Sequence, residues 1–187
     1  MDLHALPLAT IDIVANPTAI NPARASSWAS ALLDLGHASD AAIALYASEI
    51  DDAQQRYALI ADIMKELGLL RTTRAGQLGI YRDLVVAFAV EGQLTLDRFA
   101  GHAASIGHAI GELSDASSGQ REERLALFAM EDTLSWASHR TSTADQRANL
   151  LAEGLDVDNP LPWLKSQLRN AGMIDEADAV IPANWGA

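Results

Sequence analysis

Apolar residues in the middle of this chain recur at alternating spacings of three and four. Ile43, Tyr46, Ile50, Ala53, Tyr57, Ile60, Met64 and Leu67 follow one another in that rhythm. This is the heptad seam of a helix lying along another helix, held for about four heptads. No glycine or proline falls between Ser39 and Leu67. The spacing predicts one long helix, capped at Ser39 or Asp40 and stopped by Gly68. A second seam follows in Leu96, Phe99, Ala103, Ile106, Ile110 and Leu113, with Thr95 as its cap. Two such seams point to helix-on-helix packing at shallow crossing angles.

The remaining punctuation is also helical. Asn21-Pro22 sets a good N-cap before a proline at the first helical position. The helix it opens runs to about Leu35 and ends at Gly36, where glycine can adopt the left-handed cap. Between the seams, roughly Thr73 to Glu91, lies a segment apolar on most sides around Val85, Val86, Phe88 and Val90. Such a helix is a central one. After Ser117-Ser118-Gly119 comes a helix over about 120–139, capped by Ser117 with Gln120 or by Ser118 with Glu122. Leu127, Met130, Leu134 and Ala137 give it one stripe, widened by Phe128 and Trp136. Thr143 with Gln146 has the spacing of a capping box for a short helix ending near Gly154. Asn159-Pro160 repeats the cap chemistry of Asn21-Pro22 and opens a helix through Leu168, which Gly172 ends. A last turn or two spans about 174–180.

Residues 1–21 read differently. Pro7 and Pro17 flank the β-branched run Thr10-Ile11-Asp12-Ile13-Val14. The run predicts an extended arm or a lone strand. With no sheet to join, it must pack on the domain or on a neighbouring subunit. The expected fold class is therefore all-α. It is a helical bundle of about five main helices plus short C-terminal helices, one domain over 22–187, with an extended N-terminal arm over 1–21.

Two half-motifs carry an alternative architecture. Leu35-Gly36-His37-Ala38-Ser39-Asp40-Ala41-Ala42-Ile43 lines up with Ala171-Gly172-Met173-Ile174-Asp175-Glu176-Ala177-Asp178-Ala179. Glycine, three residues, an acid and alanine resemble the turn inside a tetratricopeptide hairpin. Trp28 and Trp163 precede the two glycines at similar distances, and Gly68 lies near that family's period after Gly36. This resemblance implies a helical hairpin array. The heptad phase favours the bundle, because it runs straight through Asp51-Asp52, where a repeat would break.

Charge and composition limit the partners. The formal net charge is −12, and Lys65 and Lys165 are the only lysines. A surface this negative repels phosphate and anionic lipid, so neither nucleic acid nor a membrane surface is an expected partner. A basic protein is attracted instead. The chain has no cysteine, which rules out disulfides, thiolate metal sites and cysteine nucleophiles. That usage, and an N-terminus without the basic region of a signal peptide, fit a cytoplasmic protein. No apolar run approaches the ~18 residues of a membrane span.

Recognisable chemistry is sparse. His108 and Glu112 lie four apart, about 40° apart on one helix face, and could supply two ligands to an ion. His102 points about 120° away from His108 and cannot join them. Glu-x-x-His and His-Glu-x-x-His do not occur, and neither does a phosphate loop or a Gly-x-Ser-x-Gly elbow. No catalytic residue, metal or cofactor is therefore assigned.

The residues that stand out are small. Gly101, Ala104, Gly107 and Gly111, with His108 and Glu112, give one helix a low-relief face suited to close approach by another helix. Glycine costs a helix interior roughly 1 kcal/mol relative to alanine, so this face needs a compensating reason. The acidic pairs Asp51-Asp52, Glu122-Glu123, Glu131-Asp132 and Asp175-Glu176 supply negative patches.

The expected function is an acidic helical protein-interaction module, an adaptor, assembly factor or inhibitor of the immunity type. Self-association through a seam or the glycine face is also expected. A first alternative is a small-molecule or cofactor-binding bundle. Its pocket would lie between the helices at 73–91, 95–114 and 120–139, lined by His102, His108, Trp136 and His139. A second alternative is a nucleic-acid mimic whose acidic pairs bind a basic protein.

Overall fold

The computed structural model describes residues 3–47, 50–140 and 143–175, with the side chains of His4 and of 138–140 left out. Every regular element among them is helical. In order these are α1 (Thr10–Ala15), α2 (Pro22–Asp34), α3 (Asp40–Ala47), α4 (Ala53–Glu66), α5 (Arg74–Val90), α6 (Leu96–Gly111), α7 (Ser118–Arg140), α8 (Ala144–Ala152) and α9 (Leu161–Asn170). Short 3-10 turns lie at Leu3–Ala5 and Pro17–Ala19. The fold is all-α, as the seams require, and a helical bundle fits it. No helix among the described residues is long and apolar enough to cross a membrane. The chain divides into two compact units, Met1–Leu84 and Val85–Ala187.

In the first unit the extended arm is not found. Residues 10–15 form a helix although four of the first five are β-branched. Burial decides it. Thr10, Ile11, Ile13 and Val14 are all buried, a set that one helical face can gather but that strand alternation would split. Each fully buried aliphatic side chain contributes roughly 1.5–3 kcal/mol, against a helix-propensity penalty of a few tenths. The segment packs on its own chain. The Trp28 indole N–H donates to Thr10 Oγ1 at 2.9 Å, and Asp12, turned outward, pairs with Arg24.

The single long helix expected over 39–67 is two helices. Ser39 Oγ accepts the Ala42 N–H and so starts α3, as expected. The Asp52 carboxylate then accepts the N–H groups of Gln54 and Gln55 and opens α4 as a new helix. The carbonyls of Ile50 and Asp51 turn to Arg56, whose guanidinium also holds Ile20 O at 2.8 Å. A carboxylate at an N-cap competes with helix continuation, and here it wins over heptad phase. The seam is correspondingly incomplete. Ile50, Ile60, Met64 and Leu67 are buried, but Ile43, Tyr46 and Tyr57 are exposed. The phase argument against a repeat array therefore fails at Asp51-Asp52. Yet α3 has 8 residues and α4 has 14, so the two helices do not repeat one length. The second half-motif extends into 176–179, outside the described residues, as does most of the last turn expected over 174–180.

Other boundaries follow their caps. Asn21 accepts the Arg24 N–H at 2.9 Å with Pro22 behind it. Gly36 ends α2 at φ +85°, where the His37 N–H reaches back to Leu32 O. Helix α4 packs against the 3-10 turn at Pro17–Ala19, α3 against both α2 and α4. The division between units falls within α5, whose run from Leu84 to Val90 is buried on every side. That agrees with a segment apolar all round.

In the second unit α6 and α7 form the main helix pair, and α7 also meets α9. Thr95 caps α6. Ser117 and Gln120 make both bonds of a capping box at α7: Ser117 Oγ accepts the Gln120 N–H, and Gln120 Oε1 accepts the Ser117 N–H. Thr143 accepts the Gln146 N–H and starts α8, and Gly154 ends it at φ +86°. The buried face of α6 is Phe99, Ala100, Ala103, Ile106, Gly107 and Ile110; that of α7 includes Leu127, Met130, Leu134 and Ala137. Pro160 stands at the N-cap of α9 and makes no side-chain cap bond.

Candidate functional site

Two glycines of α6, Gly107 and Gly111, stand against side chains of α7. A Cβ on Gly107 would lie 3.0 Å from Phe128 Cε1 and Cζ. A Cβ on Gly111 would lie 2.9 Å from Arg124 Cζ. Four residues forward on α6 meets four residues back on α7, so the two helices run antiparallel. Phe128 is held from two sides. The His108 ring meets it edge-on, with centroids 5.1 Å apart, and the Arg124 guanidinium lies 5.3 Å from its centroid. The reason that the glycine face needed is thus an internal one for two of its three glycines. Gly107 and Gly111 admit Phe128 and Arg124 of the same chain. Gly101 has open space around it and is exposed. Ala104 is half-buried, and His108 and Glu112 are exposed.

The other predicted residues do not converge. His102 is half-buried on α6. The side chain of His139 lies outside the described residues. Among the described residues no three His, Asp or Glu groups gather in a way that could hold a metal ion. Trp136 is 41% exposed and faces a groove of about 520 Å³. That groove lies between α7 and α8, not between the three helices expected to enclose a pocket. Asp132, Thr133 and Trp136 come from α7; Asn149, Leu150, Ala152 and Glu153 come from α8 and its C-cap. Of these, Leu150 is buried, whereas Asp132, Asn149 and Glu153 are exposed. A smaller cleft of about 220 Å³ lies in the first unit beside His37, Ser39 and Glu66.

No protein-family model, curated protein or solved structure matches the chain. Its function must therefore be argued from these surfaces.

Sequence reasoning found Trp136 and the acid at Asp132 but missed the α8 wall. The missed signal was Leu150-Leu151, two large apolar residues in a helix too short to bury both. One is buried and the other is 62% exposed. Asp132 was read only as half of an acidic pair. On a helix its neighbour Glu131 points about 100° away, and Glu131 instead accepts the Ser135 hydroxyl at 3.0 Å. Asp52, from another acidic pair, is a helix cap.

Proposed function

We propose that this chain is an acidic protein-interaction module. The observation that carries the reading is a set of large apolar side chains left on helix surfaces. In the first unit these include Ile43 at 47%, Tyr46 at 53% and Tyr57; in the second, Leu125, Trp136 and Leu151. Scattered exposed leucines are ordinary, but aromatic residues at helix faces are the side chains that anchor protein interfaces. The net charge of −12 selects a basic partner and speeds its approach. Neither a nucleic acid nor an anionic membrane suits such a surface.

The test is capture from the source cell by the tagged chain, read by mass spectrometry. A stoichiometric protein partner should come down with the wild type. It should be lost when Tyr46, Trp136 and Leu151 are all replaced by serine. Recovery of the chain alone, without any protein partner, contradicts the reading.

One observation favours a second function. A groove of about 520 Å³ has the size of a small-molecule site. Native mass spectrometry of protein purified from its source would then show a bound mass of ligand size, which the interaction reading does not predict.

A further inference from the structure

The groove between α7 and α8 combines two features. Its lining includes two large apolar side chains, the half-exposed Trp136 and the buried Leu150. Its two walls each bring a carboxylate: Asp132 from α7 and Glu153 from the C-cap of α8. Among the described residues neither carboxylate is engaged in an ion pair. Both are exposed, so a cation arriving from solvent can reach either.

A groove that sets apolar side chains beside two unpaired carboxylates is complementary to an apolar side chain flanked by cations. Trp136 adds a ring face to which a guanidinium is attracted. Asn149 supplies an exposed amide on the same wall as Glu153, able to bond a peptide backbone. The groove is also open. With 41% of Trp136 uncovered, its ring is within reach of a side chain brought by a partner. A side chain delivered by a larger body covers what the groove leaves open.

Building on the interaction reading above, we infer that the α7–α8 groove seats a short basic segment of a partner protein. That segment presents one large apolar residue, held on Trp136 and Leu150, beside arginine or lysine residues that pair with Asp132 and Glu153. The negative charge of the rest of the chain steers the segment in, and the groove sets where it stops.

The test uses the full chain and a fluorescein-labelled amphipathic peptide of leucine, tryptophan and arginine, followed by anisotropy at physiological salt. Asp132→Asn with Glu153→Gln removes the two wall charges at exposed positions without changing side-chain size. Asp115→Asn with Glu122→Gln removes the same charge elsewhere on exposed surface of the second unit. The groove pair should weaken binding about ten-fold, and the control pair less than about two-fold. Trp136→Ala should weaken it by a similar ten-fold, with an unchanged far-ultraviolet spectrum.

Equal weakening by both charge pairs overturns the inference, because binding is then diffuse attraction. So does failure of the peptide to bind, or competition by arginine amide as effective as by the peptide. A peptide that binds but ignores all three variants overturns the groove and leaves the interaction reading standing. The source-cell capture decides that reading separately.

Discussion

The Trp28 indole N–H donates to Thr10 Oγ1 at 2.9 Å, and both residues are wholly buried. Together with the Asp12–Arg24 pair, this bond joins α1 to α2 within the first unit. Replacing Thr10 with valine keeps the shape and removes the acceptor. The buried indole N–H is then unsatisfied, which costs about 1–3 kcal/mol. Urea unfolding should show that loss for Thr10→Val and a smaller one for Thr10→Ser. Equal stability of Thr10→Val and wild type would show that the bond contributes nothing.

Arg56 performs a second tethering role. Its guanidinium serves the carbonyls of Ile20, Ile50 and Asp51, holding the entry to α2 and the entry to α4 together. Arg56→Met should lower stability by about 1.5–3 kcal/mol, the range for a hydrogen bond to a charged group, and by more if all three acceptors stay dry. Arg56→Lys should recover little, because an ammonium lacks the planar fork that reaches several carbonyls. Chemical denaturation of the three proteins checks this.

These two residues also mark what the sequence concealed. The all-α class was legible because heptad spacing and caps agreed at Asn21, Thr95, Ser117 and Thr143. The break at Asp52 was legible too, in the spacing Asp52-x-x-Gln55, a cap signal that a continuous heptad phase obscured. Thr10–Val14 misled for a different reason. β-branched propensity is worth tenths of a kcal/mol per residue, and burial of Ile11, Ile13 and Val14 outweighs it. The candidate pocket was half legible. Trp136 announced itself as a large residue at the edge of the α7 stripe. For its partners on α8 the one local sign was Leu150-Leu151, and how that nine-residue helix folds back is set by non-local packing.

The α6 glycines separate into two kinds. At Gly101 nothing lies within 4 Å of an added Cβ, so Gly101→Ala should stabilise by about 1 kcal/mol through helix propensity. At Gly107 the same methyl meets the Phe128 ring at 3.0 Å, and the ring is held between His108 and Arg124. Gly107→Ala should fall below Gly101→Ala by about 1 kcal/mol or more as the overpacked ring shifts. Thermal melts of the two variants give the order. The reverse order would contradict the packing of α6 on α7.

The capping box at α7 offers an independent check on that helix. Ser117→Ala removes the acceptor for the Gln120 N–H and should cost about 1 kcal/mol. Gln120→Ala removes the return bond to the Ser117 N–H. The double variant should lose less than the sum of the two singles, because both act at one helix start.

The interaction reading rests most directly on whether this chain lives alone. Native mass measurement of the endogenous protein in a freshly opened source-cell extract addresses it. The interaction reading predicts a species heavier than the free protein, whose mass is not a multiple of the free protein's, and which reverts to the free protein when Trp136 is replaced by alanine. The free protein alone at cellular concentration, unchanged by the substitution, would contradict it.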